Sequence, residues 1–146
     1  MKRSKVDHVF VEYIPKVLKD GTIYISMTYA TAAHSCCCGC GNEIVTPLSP
    51  TDWELTFDGQ SISLNPSIGN WSLPCQSHYW IERNRVKWDR QWTKEEIRVG
   101  RAQNRMAKHR YFQEATVPTN EINTVAGASE ERKPASVWSR LRKWWS

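Results

Sequence analysis

The chain has 146 residues, of which 40% are hydrophobic and 24% are charged, and this size and composition fit one folded domain with room for a tail. The net charge of +5 permits an acidic partner but is far below that of a polybasic nucleic-acid binder. No run approaches the roughly 20 apolar residues that span a bilayer, and polar residues interrupt the start of the chain where a secretory signal needs an apolar stretch. We therefore expect a cytoplasmic protein.

The first two thirds of the chain have the pattern of short strands and turns. Asp20-Gly21 predicts a turn that leads into the β-branched and aromatic stretch "TIYIS". Pro15 indicates that the strand before it ends there or lies at a sheet edge. A Pro/Gly/Asn loop over 65–75 and a further strand or hairpin, "HYWIERNRVKW", complete this region.

The stretch "WELTFDGQSISL" predicts a hairpin, because apolar and polar residues alternate on both sides of Asp58-Gly59. Those two residues favour a type I′ turn of two residues. The expected pairs are Phe57 with Gln60, Leu55 with Ile62 and Trp53 with Leu64.

The pattern changes at Thr93, which forms a capping box with Glu96 and predicts one helix over 94–114. Residues 115–136 are polar and small, as in a flexible linker, and 137–146 have the pattern of a short amphipathic tail rich in Trp and Arg. The predicted fold class is α+β and mainly β. A small antiparallel β domain, stapled by zinc, occupies 9–114 together with the C-terminal helix, and a flexible tail follows.

The predicted helix carries six basic and three acidic side chains. We interpret these charges as spread around the helix, which favours a solvated surface over a nucleic-acid-binding stripe. The basic residues are Lys94, Arg98, Arg101, Arg105, Lys108 and Arg110, and the acidic ones are Glu95, Glu96 and Glu114. Nucleic acid is therefore not the expected partner.

Four of the five cysteines fall within "CCCGC", and the fifth, Cys75, lies in "PCQSH". Thiolates are the ligands that zinc prefers, and Gly39 and Gly41 permit the chain to curl around one ion. Two ligand sets fit the spacing, and both staple the β region. The first consists of Cys37, Cys40, Cys75 and His78, and the second of Cys36, Cys38, Cys40 and Cys75.

Three stretches together resemble a bacterial zinc-binding, peptidase-like family of formerly uncharacterised domains. They are "HSCCCGCGNEIVTPLSPTDWELTFDG", "SISLNPSIGNW" and "PCQSHYWIERNRVKW", within about residues 10–90. Members of that family are encoded beside ubiquitin-activating-like, ubiquitin-conjugating-like and ubiquitin-like proteins, in pathways linked to phage defence. The resemblance covers neither the helix nor the tail.

The resemblance implies that Cys36, Cys38, Cys40 and Cys75 hold zinc and that Cys37 is dispensable. It also implies peptidase activity that matures or deconjugates a ubiquitin-like protein, with that protein and its conjugating enzymes as partners. Ser67 and His78 remain outside a four-cysteine site, and we interpret them as nucleophile and base.

A serine nucleophile needs a base within about 3 Å and donors for the developing oxyanion. The backbone around Ile68 and Gly69 is a candidate source of these donors. A third residue that orients His78 is not identifiable, although Asp52, Asp58 and His34 are candidates.

Two other functions remain open. In a metallopeptidase, zinc acts directly, His78 is a ligand, and Glu43, Asp52 or Glu54 is the base. In a zinc-stapled adaptor of the conjugation machinery, the protein has no chemistry of its own and its Trp/Arg tail docks on a partner.

Overall fold

The computed structural model describes residues 1–116, which form two four-stranded sheets and one helix. The strands are β1 (Asp7–Phe10), β2 (Thr22–Ser26), β3 (Thr31–Ser35), β4 (Glu43–Pro47), β5 (Glu54–Phe57), β6 (Ile62–Gly69), β7 (His78–Glu82) and β8 (Arg85–Trp88), and the helix is α1 (Lys94–Thr116). The predicted fold class, mainly β with a C-terminal helix, is confirmed.

The first sheet has the order β1-β2-β3-β4. The β1–β2 pair is parallel and the other two pairs are antiparallel. Gly21 has φ +78° directly before β2, a conformation that glycine adopts without steric cost. The turn predicted at Asp20-Gly21 is therefore present, and β1 lies at a sheet edge, as Pro15 suggested.

The second sheet has the order β5-β6-β7-β8, and all of its pairs are antiparallel. The β5–β6 hairpin forms where it was predicted, but its register differs by two residues, because Phe57 pairs with Ile62 rather than Gln60. The Asp58 side chain accepts hydrogen bonds from the backbone N–H groups of Gln60 and Ser61, at 2.9 and 2.6 Å. These bonds stabilise a longer loop than the predicted two-residue turn.

The stretch "HYWIERNRVKW" forms the hairpin of β7 and β8, which the sequence left open as a strand or a hairpin. Its turn residues Arg83 and Asn84 have φ +48° and +59°, as a two-residue hairpin turn requires. Buried residues of both sheets form one hydrophobic cluster, which includes Ile23 and Ile25 of the first sheet and Tyr79 of the second.

Helix α1 begins with the predicted capping box. Thr93 Oγ1 accepts a hydrogen bond from the Glu96 N–H at 3.2 Å, and Glu96 accepts one from the Thr93 N–H at 2.7 Å. The helix continues through Thr116, two residues past its predicted end. The rest of the predicted linker and the Trp/Arg tail lie outside the described residues. Within residues 1–116, no helix combines the length and apolar character that crossing a bilayer requires.

Candidate active site and metal centre

Ser67 lies in strand β6, at an irregularity in the pairing with β7. Between the pairs Leu64–Ile81 and Ile68–Tyr79, β6 advances by four residues while β7 advances by two. The extra residues form a bulge that contains the cis Asn65–Pro66 bond and Ser67. Bulges commonly re-aim side chains near active sites. The sequence predicted a loop for Ser67, and the structure corrects this to a bulged strand.

His78 is the first residue of β7, and only 2% of its side chain is exposed. Its Nε2 atom lies 2.9 Å from Ser67 Oγ, which is hydrogen-bonding distance. Tyr79 and Ile81 of the same strand belong to the core, so strand alternation directs His78 to the opposite face of the sheet. Ser67 and His78, which the sequence singled out separately, therefore meet on the outer face of the second sheet.

The other ring nitrogen of His78 faces two acceptors at the end of β8. Nδ1 lies 3.1 Å from the backbone carbonyl oxygen of Arg90 and 3.5 Å from a carboxylate oxygen of Asp89. An Nδ1–H group that donates there leaves Nε2 as an acceptor for the Ser67 hydroxyl. The Asp89 side chain is 45% exposed, and the backbone carbonyl of Arg90 is the nearer of the two acceptors.

The three candidates for orienting His78 all have other partners. Asp52 forms an ion pair with Lys108, whose ammonium holds the pKa of that carboxyl below its usual value. Asp58 caps the β5–β6 loop. His34 is buried in the core, where its Nε2 lies 2.9 Å from the Tyr79 hydroxyl and desolvation lowers its pKa to about 4. The prediction missed Asp89 and Arg90.

Two tryptophans cover His78 on the outer face of the sheet. The ring of Trp71 lies 4.9 Å from the imidazole and that of Trp92 lies 5.2 Å from it, and the two indoles stack on each other at 5.4 Å. A Cβ atom on Gly69 would lie only 2.5 Å from Trp71 Nε1. The absence of a side chain at Gly69 therefore allows Trp71 to pack here, and the tryptophans shield His78 from water.

A cleft of about 740 Å³ opens beside Ser67 and His78, between the second sheet and α1. Trp53, Trp71 and Trp92 contribute to its walls, and Gly100 and Asn104 of the helix line the opposite side. The helix is held over the cleft by the ion pair of Lys108 with Asp52 and by a 3.1 Å hydrogen bond from Arg101 to Ser72. Ser67 and His78 both line this cleft.

The cysteine clamp, which we define as Cys36, Cys38, Cys40 and Cys75, brings four thiols together. Their sulfur atoms all lie within 4.8 Å of one another. This spacing suits a tetrahedral ion with metal–sulfur bonds of about 2.3 Å. The four residues can therefore hold a metal ion, and they are the second of the two predicted ligand sets.

The chain around the clamp has the expected curl. Gly39 and Gly41 have φ +84° and +79°. The Cys36 N–H donates to the Asn42 carbonyl at 2.8 Å, which closes the loop between β3 and β4. A hydrogen bond from the backbone of Asn42 lowers the pKa of the Cys40 thiol to about 6, and this favours the thiolate form that binds metals.

Cys37 and His78 do not join the clamp. Cys37 is fully buried in the core, where desolvation raises the pKa of its thiol to about 11. Both nitrogens of His78 face other groups, Ser67 on one side and Arg90 with Asp89 on the other. This arrangement separates the histidine from the candidate metal centre, in contrast to the first predicted ligand set and to the metallopeptidase alternative.

Ser77 connects the cysteine clamp to His78, the next residue in the chain. The Ser77 hydroxyl lies 3.2 Å from Cys36 Sγ and 3.5 Å from Cys75 Sγ, and it accepts a 2.8 Å hydrogen bond from the Asn70 side chain. The Asn70 N–H in turn donates to the Ser77 carbonyl at 2.9 Å. The start of β7 is thus fixed by the thiols on one side and by the loop after β6 on the other.

Comparison with known protein families finds a match, which covers the region that holds the serine, the histidine and the cysteines. Residues 10–89 match the model of a family described as bacterial ubiquitination-like system serine protease (BubE), which is more than half of the 146 residues. The chain belongs to this family. The family predicted by resemblance is therefore confirmed, and its name indicates a serine protease in a bacterial ubiquitination-like system.

The matched region contains Ser67, His78, Asp89 and the cysteine clamp, and it ends before α1 begins at Lys94. No curated protein and no solved structure matches the chain at a significant level. Helix α1, which lines one side of the cleft, therefore lies outside the residues that the family model matches.

Proposed function

We propose that the protein is a serine peptidase that matures or deconjugates a ubiquitin-like protein in an antiphage ubiquitination-like pathway. The observation that carries this proposal is the 2.9 Å distance between Ser67 Oγ and His78 Nε2, in a cleft large enough for a peptide. The family description, a serine protease of a bacterial ubiquitination-like system, supports the proposal. The ubiquitin-like protein and its conjugating enzymes are the proposed partners.

In the proposed reaction, Ser67 Oγ attacks the carbonyl carbon of the scissile bond while His78 Nε2 takes the hydroxyl proton. The Nδ1–H group donates to the Arg90 carbonyl, and the Asp89 carboxylate stabilises the imidazolium that forms. His78 then gives the proton to the leaving group, and water releases the acyl group by the same route in reverse. The backbone N–H groups of Ile68 and Gly69 are the proposed oxyanion donors.

Zinc is the proposed ion of the cysteine clamp, with a structural role. Four thiolates leave no open position on a tetrahedral zinc, which is typical of structural sites rather than catalytic ones. When bound, the ion would link the β3–β4 loop to the segment before β7, because Cys75 and Ser77 directly precede His78. We therefore propose that the clamp positions the base and takes no part in proton transfer.

The proposal is tested by incubating the full chain with the ubiquitin-like precursor that is encoded beside it and following cleavage of the precursor. The zinc content of each variant is measured in parallel. Ser67→Ala and His78→Ala should each lower kcat at least about 1000-fold with unchanged zinc content. Ser63→Ala is the matched control, because Ser63 lies in the same strand and its hydroxyl accepts a backbone N–H from Arg83 instead. Cleavage by both active-site variants at the wild-type rate would refute the proposal.

A further inference from the structure

Helix α1 carries a line of basic residues along one face. Lys94, Arg98, Arg101 and Arg105 are spaced by four, three and four residues, which places them on one helix face. All four line the same surface depression, together with Trp71 and Gln76. This basic stripe corrects the prediction that the helix charges are dispersed.

The positive charge of the basic stripe is only partly neutralised. Arg98 pairs with Glu95 at 2.5 Å, and Arg101 donates to the uncharged Ser72 hydroxyl. Glu96, the other acid of the first turn, pairs with Arg90 at 2.5 Å. Within residues 1–116, no carboxylate lies in salt-bridge distance of Lys94 or Arg105.

The basic stripe is continuous with the cleft that contains Ser67 and His78. Trp71, Ile97 and Arg101 line both the cleft and the depression that holds the stripe. A protein chain that passes through the cleft therefore meets the cationic face of α1. The stripe covers about 16 Å of helix at about 1.5 Å per residue, a length that matches about five residues of an extended chain.

We propose that the basic stripe binds an acidic segment of the protein substrate and so selects which chains reach Ser67. This inference rests on the proposed function and extends it with a specificity element outside the matched family region. Charge complementarity across such a surface steers association and suppresses partners of the wrong charge. A nucleic acid has the same sign of charge, but the stripe adjoins a cleft whose proposed substrate is a protein.

Binding can be measured without any cleavage, by fluorescence anisotropy of a labelled peptide of ten glutamates with the full chain. Lys94→Glu and Arg105→Glu, at opposite ends of the stripe, should each raise Kd about fivefold, because an exposed ion pair contributes roughly two- to fivefold and reversal adds repulsion. Arg110→Glu is the matched control, since this residue is exposed and does not line the depression that holds the stripe. Its Kd should stay within about twofold of wild type, as expected for an uninvolved surface residue.

Three results would overturn the inference: equal weakening by all three variants, no binding of the peptide by the wild type, or tighter binding of a ten-nucleotide oligothymidylate at the same salt concentration. The last result would assign the stripe to nucleic acid. Because the assay involves no hydrolysis, failure of the Ser67 chemistry leaves its outcome unchanged. If the wild type cleaves the ubiquitin-like precursor, Lys94→Glu and Arg105→Glu should also raise KM, and an unchanged KM would contradict the proposed role in substrate selection.

Discussion

His78 is the residue on which the proposed chemistry depends, and both of its ring nitrogens have partners of suitable type. Nε2 faces the Ser67 hydroxyl at 2.9 Å, and Nδ1 faces the Arg90 carbonyl at 3.1 Å and the Asp89 carboxylate at 3.5 Å. The ring also packs against both indoles of the Trp71–Trp92 stack. These contacts hold the ring in position, and the two acceptors beside Nδ1 favour the tautomer that carries its proton there.

Asp89→Asn is expected to lower kcat only modestly, by about tenfold or less. In serine proteases with a buried aspartate, the same change costs about 10⁴-fold, because the histidine adopts the wrong tautomer. Here the Arg90 carbonyl continues to accept the Nδ1–H group, and the carboxylate is half exposed. Steady-state cleavage of the ubiquitin-like precursor measures the kcat of this variant. A loss above about 1000-fold would make Asp89 the dominant orienting group.

Asp89 was missed, although the sequence contained the signal that locates it. The β7–β8 hairpin turns at Arg83-Asn84, and its pairs end with Tyr79 opposite Trp88. One further step in this register brings Asp89 opposite His78, where its N–H donates to the His78 carbonyl at 3.0 Å. Because the sequence was equally consistent with one strand and with a hairpin, it did not predict that Asp89 lies opposite His78. The Arg90 carbonyl has no comparable signal, because any residue supplies one.

At the scale of elements, the sequence patterns predicted the sheet face of each side chain better than they predicted which residues pair across neighbouring strands. The β5–β6 hairpin is two residues out of its predicted register, and a shift of two leaves every side chain on the same face of the sheet. The bulge at Ser67 was not predicted, because it depends on how β6 and β7 pair over a distance. The stacking of Trp71 on Trp92 likewise joins segments that local patterns do not connect.

Gly100 lies where helix α1 approaches the aromatic wall of the cleft. A Cβ atom there would lie 2.9 Å from Cζ3 of Trp92, whose indole stacks on Trp71 and packs against His78. This close approach gives a reason for a glycine that otherwise weakens a helix by about 1 kcal/mol relative to alanine.

Gly100→Ala should therefore raise the helix content of the protein and still lower its peptidase activity, because the indole must move away from the histidine. Circular dichroism measures the first effect, and kcat on the ubiquitin-like precursor measures the second, with a decrease of about tenfold or more expected. Unchanged kcat would mean that the position of Trp92 has no influence on the base.

At the scale of the whole molecule, the cysteine clamp joins the two sheets. Cys36, Cys38 and Cys40 lie in the loop after β3 of the first sheet, and Cys75 precedes β7 of the second. The two sheets already share one hydrophobic cluster, and a bound ion would add a second connection next to the start of β7. The spacing of the cysteines left two ligand sets open, and the fold brings together the four thiols of the second set.

Cys38→Ser and Cys37→Ala should separate metal binding from packing. Cys38→Ser removes a proposed thiolate ligand, so zinc per chain should fall well below one and the melting temperature should drop by many degrees. Cys37→Ala should keep the zinc and lose about 1 kcal/mol of stability, because a buried sulfur leaves a small cavity. Atomic emission and thermal unfolding measure the two effects. Loss of zinc from Cys37→Ala with retention by Cys38→Ser would reverse the ligand assignment.

The central claim is that His78 activates Ser67, and labelling with a fluorophosphonate tests it without knowledge of the substrate. The reagent modifies serines made nucleophilic by a base, and mass spectrometry of the digested protein locates the adduct. We expect one adduct, on the peptide that contains Ser67, in wild type and in Ser63→Ala, and none in His78→Ala at equal zinc content. Equal labelling of Ser67 in His78→Ala, or an adduct on another serine, would contradict the account.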